Sequence, residues 1–339
     1  MHREAGLERQ GRRWSFRVLI AWARTAIRVF YRRVEVVGLE HVGTDRPTIL
    51  AASHTNALGD VAVIVAVAPR FPHFLAASSW WKRGYARALF RLGGVLPVHR
   101  AADALGRPDN TEMFAACNDA LRAGEHLAIF PAGVMHHDAY GRPLKTGAAR
   151  IALGAAAVGV HDVAIVPVGI VYESRGRFRS DAAIHFGTPI AVAPRLDDYN
   201  NDAKAAVRVL TDDLRAALDA VGRLQPSRIE SEASPRRRAV KLAVLTPAAA
   251  VGAVAHAPAL LVGRVANRVC EEGWQATVKA VAGTALVPVT WTAEAVFLTR
   301  RDPRRPVPAV VAALAASGLA VLAWVDTRRD VNEPVAPHH

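Results

Sequence analysis

Short apolar runs alternate with longer amphipathic segments between residues 36 and 193. Apolar runs of strand length occupy residues 48–52, 74–76, 126–130, 165–170 and 183–186. Segments that read as helices occupy residues 85–92, 110–123, 147–157 and 203–221. Strands that alternate with helices are typical of a parallel sheet covered by helices, because each crossover returns the chain in the same direction. The pattern therefore predicts an α/β domain with a mostly parallel sheet flanked by helices.

A segment rich in arginine and aromatic residues precedes this domain. Over residues 14–33, apolar side chains are interleaved with arginines, a mixture typical of a helix with one apolar and one basic side. We predict that this N-terminal amphipathic helix lies in the lipid interface. The alternative is a surface helix packed on its own domain, where aromatic and arginine side chains also find contacts.

Three apolar stretches follow the α/β domain, at residues 240–262, 280–298 and 307–325. Each has about the twenty residues that a bilayer-spanning helix needs. Pro247, Pro258 and Pro288 are expected to kink or split helices. Arginines flank every stretch, so the positive-inside rule gives no alternating topology. We predict a mainly helical, hydrophobic membrane region, whose segments span the bilayer, lie in it as re-entrant or in-plane hairpins, or form a bundle buried in a soluble dimer.

These segments divide the 339-residue chain into five parts. The division gives an amphipathic membrane-surface helix at 1–34, the α/β domain at 35–224, a polar linker at 225–239, membrane-associated helices at 240–326 and a tail at 327–339. The length suits one α/β domain of ordinary size plus roughly a hundred further residues.

Charge and composition narrow the class of partner. A formal net charge of +13 favours polyanions such as nucleic acid, anionic membrane surfaces or phosphorylated substrates. With 51% hydrophobic residues and without RNA-binding motifs or zinc spacings, the chain is unlike a nucleic-acid binder. We therefore expect membrane lipids and no nucleic acid as partners. Cys117 and Cys270 lie far apart, so a disulfide framework is not expected and a reducing setting follows. The N-terminal segment does not read as a signal peptide.

Residues 49–60, with the sequence ILAASHTNALGD, combine a buried strand, a polar corner and a helix start. His54 can take a proton near neutral pH, and Asp60 can fix its tautomer and stabilise the imidazolium. The two would make a substrate alcohol into a nucleophile without a covalent enzyme intermediate. On these residues alone, a loop histidine beside a helix-capping aspartate is the commoner explanation.

Three further segments follow in order: GVLPVHR at 94–100, FPAG at 130–133 running on to PLKTGAARIALGA at 143–155, and IVPVG at 165–169. With the corner, they resemble the four sequence blocks of the glycerolipid acyltransferase family, which moves a fatty acyl chain from a thioester to glycerol 3-phosphate or lysophosphatidic acid. The resemblance covers residues 36–224. The corner has five residues between His54 and Asp60, and resembles a subgroup that reads HxNxxxD. In the third block, Ala132 replaces the glutamate of the family.

The resemblance implies roles for individual residues. His54 is the general base and Asp60 its orienting partner. Residues implied in substrate binding are Asn56, Arg100, Phe130, Pro131, Gly133, Lys145 and Pro167. Asn56 is expected mainly to shape the corner, Arg100 to hold a substrate phosphate, and Lys145 to form an anion site beside a helix N-terminus. Arg100 as an ordinary surface arginine stays the alternative.

Residues of the first, third and fourth blocks are expected at the same kind of position in the fold, the end of a strand. His54, Pro131 and Pro167 are expected at or just past the ends of buried strands, where open α/β sheets collect their active sites. Pro167 is expected to shape the acyl-donor pocket, although a proline that ends a strand needs no function.

The expected activity follows from the resemblance. The donor is acyl-coenzyme A or acyl carrier protein, the acceptor is lysophosphatidic acid or glycerol 3-phosphate, and no cofactor is needed. The expected location is the cytoplasmic membrane, with the active site facing the cytoplasm. One alternative is a catalytically impaired lipid-phosphate-binding membrane protein, which Ala132 favours. Another, a metal-dependent hydrolase, rests on His136 and His137, but adjacent residues rarely bind one ion, so no metal is expected.

Overall fold

The computed structural model describes residues 2–99, 109–135, 143–160, 162–224, 234–302 and 306–332. The chain divides into two compact units. Unit 1 comprises Met1–Ile27, Val34–Tyr172 and Ala182–Pro226, and unit 2 comprises Arg28–Arg33, Glu173–Asp181 and Ser227–His339. Unit 2 therefore includes two short segments in addition to the C-terminal region that the sequence sets apart.

A single sheet crosses unit 1, and the described residues contribute eight strands to it. They are β1 (Arg33–Val37), β2 (Thr48–Ala52), β3 (His73–Ala77), β4 (Leu96–Val98), β5 (Leu127–Ile129), β6 (Ala164–Tyr172), β7 (Asp181–Phe186) and β8 (Ile190–Ala191). The order is β1-β7-β6-β2-β5-β3-β4, and β8 also pairs with β6. The pairings from β6 through β2, β5 and β3 to β4 are parallel, whereas β7 and β8 run antiparallel to β6.

Helices precede, connect and follow these strands. They are α1 (His2–Phe30), α2 (Ala57–Val67), α3 (Gly84–Leu92), α4 (Thr111–Arg122), α5 (Gly147–Ala157), α6 (Leu196–Asn201) and α7 (Ala203–Gly222). The predicted fold class, a mostly parallel sheet flanked by helices, is confirmed. The strands β1, β4 and β8 were not predicted, because they are short and their side chains are half-buried or exposed.

The central strands are apolar because helices cover them. All five residues of β2 are buried, as parallel strands in α/β proteins generally are. Ile49, Leu127 and Ile165, on three neighbouring strands, are fully buried. They share one core cluster with residues of α5 and α7 such as Leu153 and Leu214. This core fixes the sheet, and with it the edge at which the parallel strands end.

The expectation that Pro167 lies at the end of a strand is wrong, because β6 continues to Tyr172. Proline cannot donate a ladder hydrogen bond, and the sheet accommodates this through a gap in the antiparallel pairing. β8 pairs with β6 only at Ala164 and Ile165, and β7 begins to pair at Val168. The carbonyl oxygen of Pro167 faces the gap and accepts from the backbone N–H of Gly187 at 2.8 Å. The missing N–H therefore disrupts no strand pairing.

Helix α1 begins well before the predicted residue 14 and ends at Phe30, before residue 33. One side of it packs on unit 1: Phe16 stacks on Phe71 with ring centroids 4.3 Å apart, and Ala23 is fully buried. Apolar side chains on the other side are exposed, with Trp14 68% and Val18 49% accessible. The packed side agrees with the alternative of a surface helix on its own domain, and the expected lipid contact of the exposed side stays a prediction.

The described part of unit 2 contains four helices: α8 (Pro235–Ala255), α9 (Ala257–Val269), α10 (Glu272–Arg301) and α11 (Val307–Asn332). Helix α8 starts inside the segment expected to be a linker. Pro247 and Pro288 lie within α8 and α10 and do not split them, so of the expected kink or split only the kink stays a prediction for these two residues. The stretch 240–262 does break at His256, and Pro258 lies in the first turn of α9, the position where a helix tolerates proline.

Three helices within the described residues are long and apolar enough to cross a membrane: Arg236–Ala255, Glu272–Arg301 and Val307–Arg329. Many of their large apolar side chains are exposed, including Val244 at 71% and Leu319 at 67%. Gly252 of α8 allows a close approach to α11, because a Cβ at this glycine would collide with the backbone oxygen of Ser317. The two helices therefore pack closely, while their other sides stay apolar and accessible.

Ion pairs between buried arginines and partly exposed carboxylates hold the segments of unit 2 together. The Arg179 guanidinium donates to both carboxylate oxygens of Asp326, at 2.8 and 2.6 Å, and to the backbone oxygens at the end of α1. Arg329 donates to Glu173. Burial alone would raise the pKa of Glu173, but the hydrogen bond and positive charge of Arg329 outweigh it and lower that pKa. The end of α11 is thus fixed to the segment 173–181 by paired charges.

Candidate active site

The corner after β2 and the turn after β5 lie at the same edge of the sheet. β2 and β5 are parallel neighbours, with Ala51 opposite Ile129, so both chains leave the sheet side by side. Pairing between β2 and β6 continues one residue further, since the Ser53 N–H donates to the Val168 oxygen at 2.9 Å. The Ser53 hydroxyl also accepts from the Ile170 N–H at 3.0 Å. His54 therefore starts from a backbone that is fixed on one side by β6.

His54 and Asp60 form a hydrogen-bonded pair. His54 Nδ1 lies 2.9 Å from Asp60 Oδ2, and the His54 side chain is 20% exposed whereas the Asp60 side chain is fully buried. A carboxylate accepts only, so this contact assigns the proton to Nδ1 and leaves Nε2 as the basic nitrogen. The imidazole thus has the tautomer that a general base needs, with part of the ring open to a substrate.

Asp60 is held by neutral donors. Its Oδ2 accepts from the backbone N–H groups of Thr55 at 2.7 Å and Asn56 at 2.8 Å, and its Oδ1 accepts from the Tyr172 hydroxyl at 2.6 Å. Asp60 lies in the first turn of α2, where the helix dipole favours a negative charge. It is therefore not the N-cap residue, a position that Asn56 occupies. Asp60 reaches back to the corner and orients His54 at the same time.

Phe130 forms an aromatic wall beside the histidine. Its ring stacks on the His54 ring with centroids 4.0 Å apart and an interplanar angle of 18°. Phe74 lies behind it, with a centroid distance of 6.3 Å to Phe130. Stacking limits the rotation of the imidazole and makes one side of the site apolar, as a fatty acyl chain would require.

The turn at residues 131–133 brings Lys145 to the site. The Lys145 N–H donates to the Pro131 oxygen at 2.8 Å. Gly133 has φ of 74°, and a Cβ there would lie 2.9 Å from Lys145 Nζ. The lysine side chain therefore covers this glycine. Met135 continues the turn toward the corner, since its sulfur accepts from the Ala57 N–H at 3.1 Å.

The structure brings together His54, Asp60, Asn56, Phe130, Pro131, Gly133 and Lys145 at this edge. Pro167 lies opposite Ala51 of β2, three residues before His54, within the strand. Asn56 is fully buried, its side chain does not cap α2, and it packs against Gly59. Arg100 lies outside the described residues, so its predicted contact with phosphate stays a prediction.

No group of three potential metal ligands occurs among the described residues. His136 and His137, on which the metal alternative rests, lie outside them. Cys117 is no candidate nucleophile, because it is fully buried and burial raises the pKa of its thiol to about 12.

Tyr172 is the site residue that the sequence did not reveal. It ends β6, which neighbours β2 in the sheet, and its partner Asp60 is 112 positions away in the sequence. A signal was present: a tyrosine ends the apolar run AIVPVGIVY, and a buried phenol usually finds a hydrogen-bond partner. To name that partner from the sequence, one would also have to know the order of the strands in the sheet.

Part of the chain resembles known proteins in sequence and in fold. Residues 33–171 match the sequence model of the acyltransferase family. Glycerol-3-phosphate O-acyltransferase 2 of Saccharomyces cerevisiae is 38% identical over 96 residues, which cover 28% of this chain and 13% of the yeast protein. Glycerol-3-phosphate O-acyltransferase 1 of the same yeast is 38% identical over 112 residues, which cover 30% and 14%. A solved structure, the 1-acyl-sn-glycerophosphate (LPA) acyltransferase PlsC from Thermotoga maritima, aligns with a TM-score of 0.46 and 16% identity over 65% of this chain and 85% of that chain.

The matched region contains the His54 corner and the third and fourth blocks up to Val171. The match spans only 13% and 14% of the length of the two yeast proteins, so the likeness concerns one domain. Residues 33–171 match the acyltransferase family model, and for this region the resemblance to glycerolipid acyltransferases seen in the sequence is confirmed. The subgroup defined by five residues between His54 and Asp60 stays a prediction.

Two glycine substitutions test the turn that carries Lys145. We expect Gly133→Ala to lower the free energy of unfolding by about 1–2 kcal/mol, because alanine disfavours the left-handed region and its Cβ would displace Lys145. Gly154→Ala in α5 is the matched control, since nothing lies within 4 Å of its Cβ position; it should stabilise by roughly 0.5–1 kcal/mol. Thermal unfolding in detergent measures both. Equal stability of the two variants would contradict the described turn.

Proposed function

We propose that the chain is an O-acyltransferase that moves a fatty acyl chain from acyl-coenzyme A or acyl carrier protein to the hydroxyl of lysophosphatidic acid or glycerol 3-phosphate. The observation that carries the proposal is the pairing of His54 with a buried Asp60 at the carboxyl edge of a parallel sheet. The acyltransferase match over residues 33–171 supports the same activity. The names of the two yeast relatives favour glycerol 3-phosphate as one acceptor class.

The mechanism follows from the proton assignment. His54 Nε2 takes the proton of the acceptor hydroxyl while the hydroxyl oxygen attacks the thioester carbonyl carbon. Asp60 stabilises the imidazolium that forms, as the buried carboxylate of a serine triad does. The tetrahedral intermediate then collapses, the carbon–sulfur bond breaks, and the thiolate takes the proton from His54. The products are an ester and a free thiol, and His54 returns to its starting state.

Lys145 is the described cation best placed to attract the acceptor phosphate. Its side chain is exposed beside the turn at Gly133, and it has no ion-pair partner within the part of the chain that the structure describes. The N-terminus of α5 begins two residues later, and helix N-termini favour anions. Arg150, by contrast, is exposed and lies over the Phe114 ring at 4.8 Å, as expected for a residue of the helix surface.

The protein's location follows from its exposed apolar surfaces. The three apolar helices of unit 2 have accessible faces that water would not favour. In unit 1, the exposed side of α1 carries Trp14 and Trp22 next to arginines, which suits a lipid surface. We propose that the chain is inserted in the cytoplasmic membrane through unit 2, with its active site on the cytoplasmic side.

The proposed mechanism predicts the effect of removing the general base, His54. His54→Ala should lower acyl transfer at least about a hundredfold, since it removes the general base, and should leave the thermal unfolding midpoint nearly unchanged. His41→Ala is the matched control, because His41 hydrogen-bonds the Phe186 oxygen at another part of the sheet and should retain activity. Transfer of labelled acyl chains to a panel of acceptors measures both. Near-normal turnover in His54→Ala would refute the mechanism.

The proposed insertion in the membrane predicts how the protein behaves when membranes are washed. If the apolar helices of unit 2 insert, high salt will leave the protein in the membrane pellet, because salt screens charges without weakening burial in lipid, whereas detergent will release it. Release of the intact chain by salt alone would instead indicate a protein held only by its basic charge.

A second candidate function, lipid-phosphate binding with impaired turnover, rests on Ala132. Alanine cannot accept a hydrogen bond from an acceptor hydroxyl or pair with Lys145, as the family's glutamate can. We expect Ala132→Glu to lower the KM for the acceptor roughly two- to tenfold, the effect of about one added hydrogen bond. Ala132→Gln, similar in size but uncharged, is the control and should give a smaller effect. If the parent protein, Ala132→Glu and Ala132→Gln have the same KM for every acceptor, position 132 does not contact the acceptor.

A further inference from the structure

The two oxygens of the Asp60 carboxylate have unequal sets of partners. Oδ2 accepts three hydrogen bonds, from His54 Nδ1 and from the backbone N–H groups of Thr55 and Asn56. Oδ1 accepts one, from the Tyr172 hydroxyl at 2.6 Å. All of these donors belong to unit 1. The orientation of the carboxylate about its Cβ–Cγ bond therefore depends on a single contact for one of its two oxygens.

Tyr172 is well suited to fix that orientation, because its backbone is held firmly. It is the last residue of β6 and lies opposite Ala182 of β7 in the antiparallel ladder. On the other side, β6 pairs with β2 as far as Ala52 opposite Val168, and the Ile170 N–H extends this contact to Ser53. The hydroxyl is thus presented from a strand that is paired directly with the strand leading to His54.

We propose that Tyr172 is a positioning residue of the acyl transfer: its hydroxyl locks the Asp60 carboxylate so that Oδ2 stays aligned with His54 Nδ1. The kinetic effects expected from this proposal rest on the proposed function. The hydrogen bond between Tyr172 and Asp60 is observed in the structure and does not depend on that function. Without the hydroxyl, Oδ1 would be a buried acceptor with no protein donor, and the carboxylate would be free to rotate or to recruit water.

Tyr172→Phe tests the proposal, because it removes the hydroxyl and keeps the ring. We expect kcat to fall roughly five- to thirtyfold, the effect of losing a hydrogen bond to a charged group, with both KM values within about twofold of the parent protein. Tyr199→Phe is the matched control, since Tyr199 lies in α6 against the main core and should change neither kcat nor KM. An unchanged kcat in Tyr172→Phe, or a change confined to KM, would overturn the proposal.

A second readout does not require turnover. Diethyl pyrocarbonate modifies neutral imidazole, and peptide mapping isolates the modification of His54 from that of other histidines. In Tyr172→Phe, the rate of modification of His54 at one fixed pH should differ from the rate in the parent protein, because the imidazole is held less firmly; equal rates would overturn the proposal. If the parent protein shows no transfer with any acceptor, the proposed function fails, and the modification rates still decide the role of Tyr172.

Discussion

A buried negative charge determines the structure of the corner. Asp60 has no solvent exposure, and an unpaired carboxylate in such a place would be strongly unfavourable. Two backbone amides, a tyrosine hydroxyl and a histidine provide its hydrogen bonds. The corner can satisfy the charge only when the chain turns sharply after β2, starts α2 at once and lies beside the end of β6. The same contacts that stabilise the charge also orient the base.

The sheet explains why the parts of the site meet. β2 lies between β5 and β6, so the segments that follow β2 and β5 leave from one edge, and the end of β6 lies beside them. His54 is contacted from two neighbouring strands, by the Phe130 ring after β5 and, through Asp60, by Tyr172 of β6. These residues come from separate segments of the sequence. The parallel arrangement of the three strands brings them together in one site, as open α/β sheets generally do.

The most buried elements could be predicted from the sequence. The bounds of β2 match the expectation because it is a continuous apolar run that ends at a polar residue. The bounds of α5 match because it starts at a glycine and is rich in small apolar residues, with Arg150 as its charged position. β1, β4 and β8 could not be found in this way, since short strands that are only partly covered need no continuous apolar run. Pro167 was misplaced because the rule against proline inside strands does not foresee a gap between two antiparallel partners.

The site was predictable to the extent that its residues are close in sequence. The pair of His54 and Asp60 lies within one corner, so its spacing alone indicates the contact. Tyr172 was missed because its hydrogen bond depends on which strands are neighbours, a property of the whole sheet. The position of Lys145 against Gly133 likewise depends on the connection between β5 and α5, which spacing does not specify.

Direct transfer from thioester to acceptor is the central claim, and measurement of thiol release tests it most directly. The purified chain in detergent and lipid would be mixed with labelled acyl-coenzyme A, and separately with acyl carrier protein, with and without lysophosphatidic acid or glycerol 3-phosphate. The account predicts that free thiol appears only when an acceptor is present, in equal amount to the ester product, and that no label stays on the protein. Release of thiol without acceptor together with a labelled protein, or no release with any acceptor, would contradict it.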